Sequence, residues 1–512
     1  MRSKRLYWAE AVLAAALLLL LTASAVSCWR VIHSPAPLEY REDAIILSTD
    51  LMLHGDSPYS LESQPVYINC YGLAYNSAVA CVMRLTGSTD PFFVHRLMSI
   101  ATMVACCLAL FMTLRRDGVG WLLGLTGSIT WLFHLSIGLT ATARPDGLGL
   151  LLFFASMIVP WNSRFSKWGV MASVLFGILA FLTKPYFVLG TAIMLVYVFL
   201  FVNKRNAIMG GLAFVVLFSG TLVVMNHFLP CYLFNLFPVA GSSANRSYTH
   251  FAEQSSRFLL RNLGMVLAGG FTAITGIVTA IRTGLPFKIG SSALFNWTGA
   301  GGLLNLPVRF VTFAVLCVVV VLVLLLGPHT GQTRLYYEQL LAPFLYWWML
   351  GHIQRLQSGK AGALIVLAIS AALVPFSFNI PKVWQSSIDL EGWTKVEAEI
   401  KQHSNVLAGP LCAHILMQER RPVYSTGQTE FFKSALDKGL LSGAYREQCQ
   451  HFLSELSNKV QKREFDLIIR HKGDVEFVAP ELIAQNYEHK GSCRVDVSLT
   501  GPLDVEFWVR RP

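Results

Sequence analysis

The chain has 512 residues, 54% of them hydrophobic and 14% charged, with a mean hydropathy of +0.50. A water-soluble domain of this size needs a polar surface that residues 1–380 do not supply, so the composition excludes an ordinary soluble enzyme and indicates a polytopic membrane protein. The formal net charge of +11 sits mostly in short loops between apolar runs, where the positive-inside rule accounts for it and no nucleic-acid partner is expected.

Arg2, Lys4 and Arg5 precede an apolar run from about Tyr7 to Cys28, long enough to span ~30 Å of hydrocarbon. The loop that follows, residues 29–90, is acidic and holds two amphipathic stretches, Ala44–Leu53 and Leu73–Leu85, which read as helices lying at the interface. Apolar runs then alternate with polar punctuation: Phe92–Leu114, Val119–Leu139, Leu148–Trp161, Trp168–Leu182, Tyr186–Val202, Ala207–Leu229, Phe258–Ile281, Leu303–Leu326, Leu340–Ile353 and Ala361–Phe376. With the first run this makes about 11 transmembrane helices.

Arg115-Arg116, Arg164 with Lys167, Lys204-Arg205, Arg282 with Lys288, and Arg355 with Lys360 fall on the side of the N-terminus, which the positive-inside rule makes cytoplasmic. The acidic loop and the C-terminus then fall outside. From about Pro381 the composition becomes that of a globular domain, and residues 381–512 read as a small extracytoplasmic α/β unit. Helices are expected over Val383–His403, Phe431–Leu441 and Tyr445–Val460. Strands are expected over Val406–Ala408, Pro422–Ser425, Phe465–Arg470, Arg494–Leu499 and Val505–Val509. The fold class is therefore a polytopic α-helical membrane protein with a C-terminal α/β domain. The ten cysteines form no CxxC pair; outside the cytoplasm, Cys412, Cys449 and Cys493 would permit one disulfide.

Several polar residues run against this apolar background on the outward side, and charges at membrane depth usually mark function. Glu42 and Asp43 follow the first span; a carboxylate there suits a general base, and also suits the cap of the helix that starts near Ala44. Tyr71 opens the second amphipathic stretch, where a ring that is apolar at one end and wet at the other is at home. Arg144 and Asp146 flank a proline at the start of a span; arginine there can reach a phosphate, or simply pair with Asp146. Lys184, in Thr-Lys-Pro, is a point charge suited to phosphate or to snorkelling. His329, Arg334, Tyr336 and Tyr337 crowd one short loop with the cation, imidazole and phenol that a lipid-phosphate clamp needs. No HExxH, Walker A or DxD motif stands in a plausible context.

The motifs Glu39-Tyr-Arg-Glu-Asp43, Gly55-Asp-Ser-Pro-Tyr59, Asn69-Cys-Tyr-Gly-Leu-Ala-Tyr75, His95-Arg96, Ala143-Arg-Pro-Asp-Gly147, Thr183-Lys-Pro185 and Tyr336-Tyr-Glu-Gln-Leu-Leu-Ala-Pro343 occur in order over roughly 350 residues. In that order the chain resembles bacterial membrane glycosyltransferases of the GT-C superfamily, which includes protein mannosyltransferases and lipid A aminoarabinose transferases. The resemblance implies an inner-membrane enzyme using a polyprenyl-phosphate sugar donor and a lipid, glycan or protein acceptor approaching from outside. It implies a first-loop carboxylate, Asp43 or Glu42, as base. It also implies substrate contacts from Tyr71, Arg96, Arg144, Asp146, Lys184, His329, Arg334, Tyr336 and Tyr337. Members differ in metal dependence; a divalent metal is compatible with the resemblance, but no ligand cluster supports one and no metal ligand is assigned. A transporter or flippase of lipid-linked sugars is the alternative, though it usually shows repeats that are not evident here.

Overall fold

The computed structural model describes residues 4–242, 390–471, 477–497 and 501–511, with isolated positions between 249 and 354. Nine helices of the membrane part are used below: α1 (Lys4–His33), α2 (Glu42–His54), α3 (Leu73–Thr86), α4 (Pro91–Arg116), α5 (Trp121–Ser136), α6 (Asp146–Asn162), α7 (Lys167–Phe181), α8 (Leu189–Phe201) and α9 (Lys204–Phe228). Their starts follow local chemistry. Asp90 accepts from the Phe93 amide with Pro91 in the first turn of α4, Ser166 accepts from Gly169 at α7, and Asn203 accepts from Asn206 at α9.

Among the described residues three helices are long and apolar enough to cross a membrane, Glu10–His33, Phe92–Arg116 and Lys204–Phe228; Asp146–Asn162, Lys167–Phe181 and Pro185–Phe199 are apolar but shorter. The expected spans Phe258–Ile281, Leu303–Leu326 and Ala361–Phe376 lie outside the described residues, and Leu340–Ile353 is described only in part. The helices pack around Met103, Leu110, Trp131, Phe153, Phe154 and Tyr197, with Phe344 and Trp347 closing one side. Small residues allow close approach: a methyl group on Gly177 would meet Thr191, and one on Gly149 would meet Phe187.

Contacts sort the helix ends into two sets. Arg96, near the start of α4, bonds to Val31 at the end of α1, and Lys184, after α7, bonds to Asp146 at the start of α6. At the opposite end, Asp117 after α4 accepts from the indole of Trp161 near the end of α6 and from that of Trp347.

The C-terminal domain has one four-stranded sheet in the order β1-β2-β4-β3, with β1 Val406–Ala408, β2 Leu467–His471, β3 Tyr487–Val497 and β4 Gly501–Arg510. β1 and β2 are parallel; β4 runs antiparallel to β2 and β3. Helices Glu391–Gln402, Ala413–Gln418, Thr429–Asp437, Gly443–Gln461 and Pro480–Asn486 accompany the sheet. Two expectations change. Pro422–Ser425 forms no strand: proline has no amide for a ladder, and the segment instead leads into Thr426–Gln428, which touches the first loop. β3 starts at Tyr487, earlier than Arg494, because its opening residues Glu488, His489 and Lys490 are exposed and a bulge at His489/Gly491 interrupts their alternation. Cys412, Cys449 and Cys493 are free thiols.

The domain sits on the first loop. Ala36 and Leu47 belong to the same apolar cluster as Trp393, Leu411, Cys412 and Ile415. The Cys70 amide donates to Gln428 Oε1 at 2.6 Å, and Gln448 donates to the Gln64 carbonyl. Gly427 is required for the approach, since a Cβ there would stand 1.9 Å from the Tyr40 carbonyl oxygen. For this reason α2 is buried from Glu42 to Thr49 and does not lie along a lipid interface in its first half.

Candidate functional site: a buried charge cluster on the first loop

Four carboxylates, Glu39, Glu42, Asp43 and Asp146, and four cations, Arg41, Arg96, Arg144 and Lys184, are buried at the end of the helix bundle that carries the first loop. Buried charges persist only when paired and hydrogen-bonded, so their partners define what each can do.

Glu42 and Arg96 form a closed clasp. Arg96 Nε donates to Glu42 Oε1 at 3.1 Å and Nη2 to Oε2 at 3.0 Å. Nη1 donates to the carbonyls of Val31 and Ser34, and Nη2 to that of Ala36, so all five guanidinium donors are engaged. The Arg96 guanidinium also lies over the Phe92 ring, 4.4 Å from its centroid. Glu42 accepts in turn from the amides of Leu38 and Ala143, each at 2.6 Å. Burial by itself would raise the Glu42 carboxyl, but the Arg96 charge and these hydrogen bonds outweigh it and hold the group below its ordinary value. Glu42 does not cap α2; that position is Arg41, and Glu42 begins the first turn.

A second group joins three elements. Arg144 Nε donates to Asp146 Oδ2 at 3.0 Å, Nη2 donates to the Tyr71 hydroxyl at 2.9 Å, and Nη1 is 3.0 Å from Glu39 Oε2. Lys184 Nζ donates to Asp146 Oδ1 at 2.5 Å and lies 4.6 Å from the centroid of the Tyr71 ring. The pairing expected within the Arg-Pro-Asp motif is present as the Arg144–Asp146 ion pair, and Asp146 also holds Lys184. Tyr71 is set by its neighbours. Its amide donates to Asn69 Oδ1, while Gly72, whose Cβ would collide with the Leu182 carbonyl, lets the α3 entry bond to the Leu182 and Thr183 carbonyls just before Lys184.

Asp43 is different. It is wholly buried, and among the described residues it has no arginine or lysine within ion-pair distance. Its partner is His414 of the C-terminal domain, whose backbone amide and Nδ1 are each 3.3 Å from Oδ2. The Ala143 amide on Glu42 ties the residue before Arg144 to the residue before Asp43, so the two charge groups share one floor.

Of the residues expected from sequence, Glu42, Asp43, Tyr71, Arg96, Arg144, Asp146 and Lys184 come together here, whereas His329, Arg334, Tyr336 and Tyr337 lie outside the described residues. Glu39 and His414 were not among the candidate site residues expected from sequence. Glu39 opens the Glu39–Asp43 motif but was assigned no role of its own, and His414, 371 positions from Asp43, carried no local signal. Among the described residues no three His, Cys, Asp or Glu side chains are grouped to hold a metal ion.

No family model matches the chain, and no curated protein matches it. A solved structure similar to it is that of ArnT from Cupriavidus metallidurans in the apo state, at 12% identity, covering 96% of this chain and 98% of that chain, with a TM-score of 0.42.

Proposed function

We propose that this chain is an inner-membrane glycosyltransferase that moves a sugar from a polyprenyl-phosphate donor to an acceptor presented outside the cytoplasm. The observation that carries the reading is the gathering of Arg144, Lys184 and Tyr71 from separate elements into one group, linked through the Ala143–Glu42 hydrogen bond to the loop that carries Asp43, a carboxylate that lacks an arginine or lysine partner among the described residues.

In this reading the acceptor hydroxyl attacks the anomeric carbon as the bond from that carbon to the phosphate oxygen breaks, with inversion. The hydroxyl proton passes to Asp43, and the electron pair of the breaking bond leaves with the polyprenyl phosphate. Arg144 and Lys184 lower the barrier by meeting the charge that develops on the leaving phosphate. Asp146 and Glu39 keep these two cations fixed and neutralised until an anion arrives. His329, Arg334, Tyr336 and Tyr337 are assigned to the same donor headgroup on sequence grounds. Glu42 and Arg96, with their hydrogen-bonding capacity spent on each other and on backbone, shape the loop that presents Asp43. Acceptors that are lipids, glycans or proteins all satisfy this chemistry.

The test is transfer of radiolabelled sugar by the purified full chain in detergent, using a panel of undecaprenyl-phosphate hexoses and pentoses and a cell-envelope extract as acceptor. Label in a new product supports the reading. Donor moved across a liposome bilayer with its glycosyl bond intact would replace it with a flippase. A mass shift in envelope glycoconjugates on deletion would identify the acceptor.

A further inference from the structure

We infer that His414 of the C-terminal domain is a positioning residue for Asp43, so that the outer domain completes the site in the membrane part. This rests on the proposed transferase reading with Asp43 as base.

The contrast among the four buried carboxylates is the starting point. Glu39, Glu42 and Asp146 each have an arginine or lysine within ion-pair distance. A carboxylate fixed against such a charge is a weak proton acceptor, because taking a proton forfeits the pair. Among the described residues, the polar groups that Asp43 meets are the imidazole and the backbone amide of His414. Both hydrogen bonds from His414 fall on Oδ2, whereas Oδ1, 3.2 Å from Nδ1, is buried and makes no hydrogen bond among the described residues. A base needs carboxylate oxygens that are not committed to a permanent cation, and among the described residues neither oxygen of Asp43 is so committed.

His414 is fixed in its turn. Its ring meets the Phe92 ring edge-on with centroids 4.9 Å apart, and Phe92 is the ring on which the Arg96 guanidinium rests. The segment carrying it belongs to the apolar cluster shared with Ala36 and Leu47. The Gly427 approach and the Gln428–Cys70 hydrogen bond hold the same face of the domain against the loop. Donation from Nδ1 to Asp43 leaves Nε2 unprotonated in the neutral ring, and among the described residues Nε2 makes no hydrogen bond. His414 thus meets Asp43 through a ring nitrogen and a backbone amide, where an arginine would place a permanent charge.

The experiment compares His414→Ala, His414→Asn and Asp43→Asn in the purified full chain, reading kcat, donor KM and thermal melting. Asparagine can offer a side-chain amide near the position of Nδ1. His414→Ala is expected to lower kcat by about 10- to 100-fold, the scale of a misplaced catalytic group, with donor KM within about twofold of wild type. His414→Asn is expected to recover part of kcat. If Asp43→Asn is inactive but His414→Ala turns over like wild type, the positioning role falls while the base assignment stands. Equal loss in both His414 variants together with lowered melting would make His414 a docking residue only, and also overturns the inference. A fully active Asp43→Asn, or a wild-type chain without transferase activity, removes the base reading and this inference with it.

Discussion

Arg96 reaches Glu42 across 54 positions and engages both carboxylate oxygens, at 3.1 and 3.0 Å, with neither side chain exposed to solvent. The pair locks the end of α1, the first loop and the start of α4 together. Removing one partner of such a pair leaves the other charged and buried, which costs about 3–5 kcal/mol. Glu42→Gln and Arg96→Gln should each lower the melting temperature of the purified protein markedly. The double variant Glu42→Gln/Arg96→Gln should lose less than the sum, because neither charge is stranded. Additive losses would show that the two do not act as a unit.

The same carboxyl sets an acid limit. Its folded-state pKa lies below its unfolded value, so the unfolded chain binds the proton more readily. The contribution of Glu42 is therefore complete above the unfolded value of about 4.3 and is lost as pH falls through the lower, folded value. Melting followed from pH 7 downward should decline below about pH 4.3 in the wild type. In Glu42→Gln that part of the decline should be absent.

Asp43→Asn keeps size and hydrogen bonding but cannot accept the acceptor's proton. Transfer should fall by roughly 10²–10⁴ with normal expression and melting. An Asp43→Asn variant that turns over normally would move the base elsewhere, with Glu39 the next carboxylate to test.

Arg144 uses Nε, Nη1 and Nη2 toward three different partners, a geometry that a lysine ammonium does not reproduce. If the leaving phosphate is held here, Arg144→Lys should raise donor KM by roughly 10- to 100-fold, the loss of a charge-assisted hydrogen bond. Arg334→Ala should act in the same direction if its loop joins the clamp. Donor titration at saturating acceptor measures both. Unchanged donor KM in Arg144→Lys would confine that residue to the loop's architecture.

Contact between the first loop and the C-terminal domain requires both to lie on one side of the membrane. Cys81 on α3 is exposed and provides a native probe. A membrane-impermeant maleimide added to intact spheroplasts should label Cys81, and a reporter fused after Pro381 should be active only outside the cytoplasm. Gly427→Ala should loosen the contact, because its new methyl group meets backbone rather than a flexible side chain. Limited proteolysis should then release the domain more readily than in wild type.

The apolar character of the chain, the order of its apolar helices through α9 and most of the charged residues that gather in the site were legible in the sequence alone. Apolar periodicity and the rarity of charge in such a chain are local signals, and they survive without knowledge of the fold. Tertiary structure decided how those charges divide. Glu42 and Asp43 are neighbours in sequence and were interchangeable as bases there. In the fold one is consumed by Arg96 and two amides, and the other meets His414. The physical reason is that a buried carboxylate's chemistry is set by the partners within hydrogen-bond reach, and these come from positions 54 and 371 residues away, beyond any local pattern.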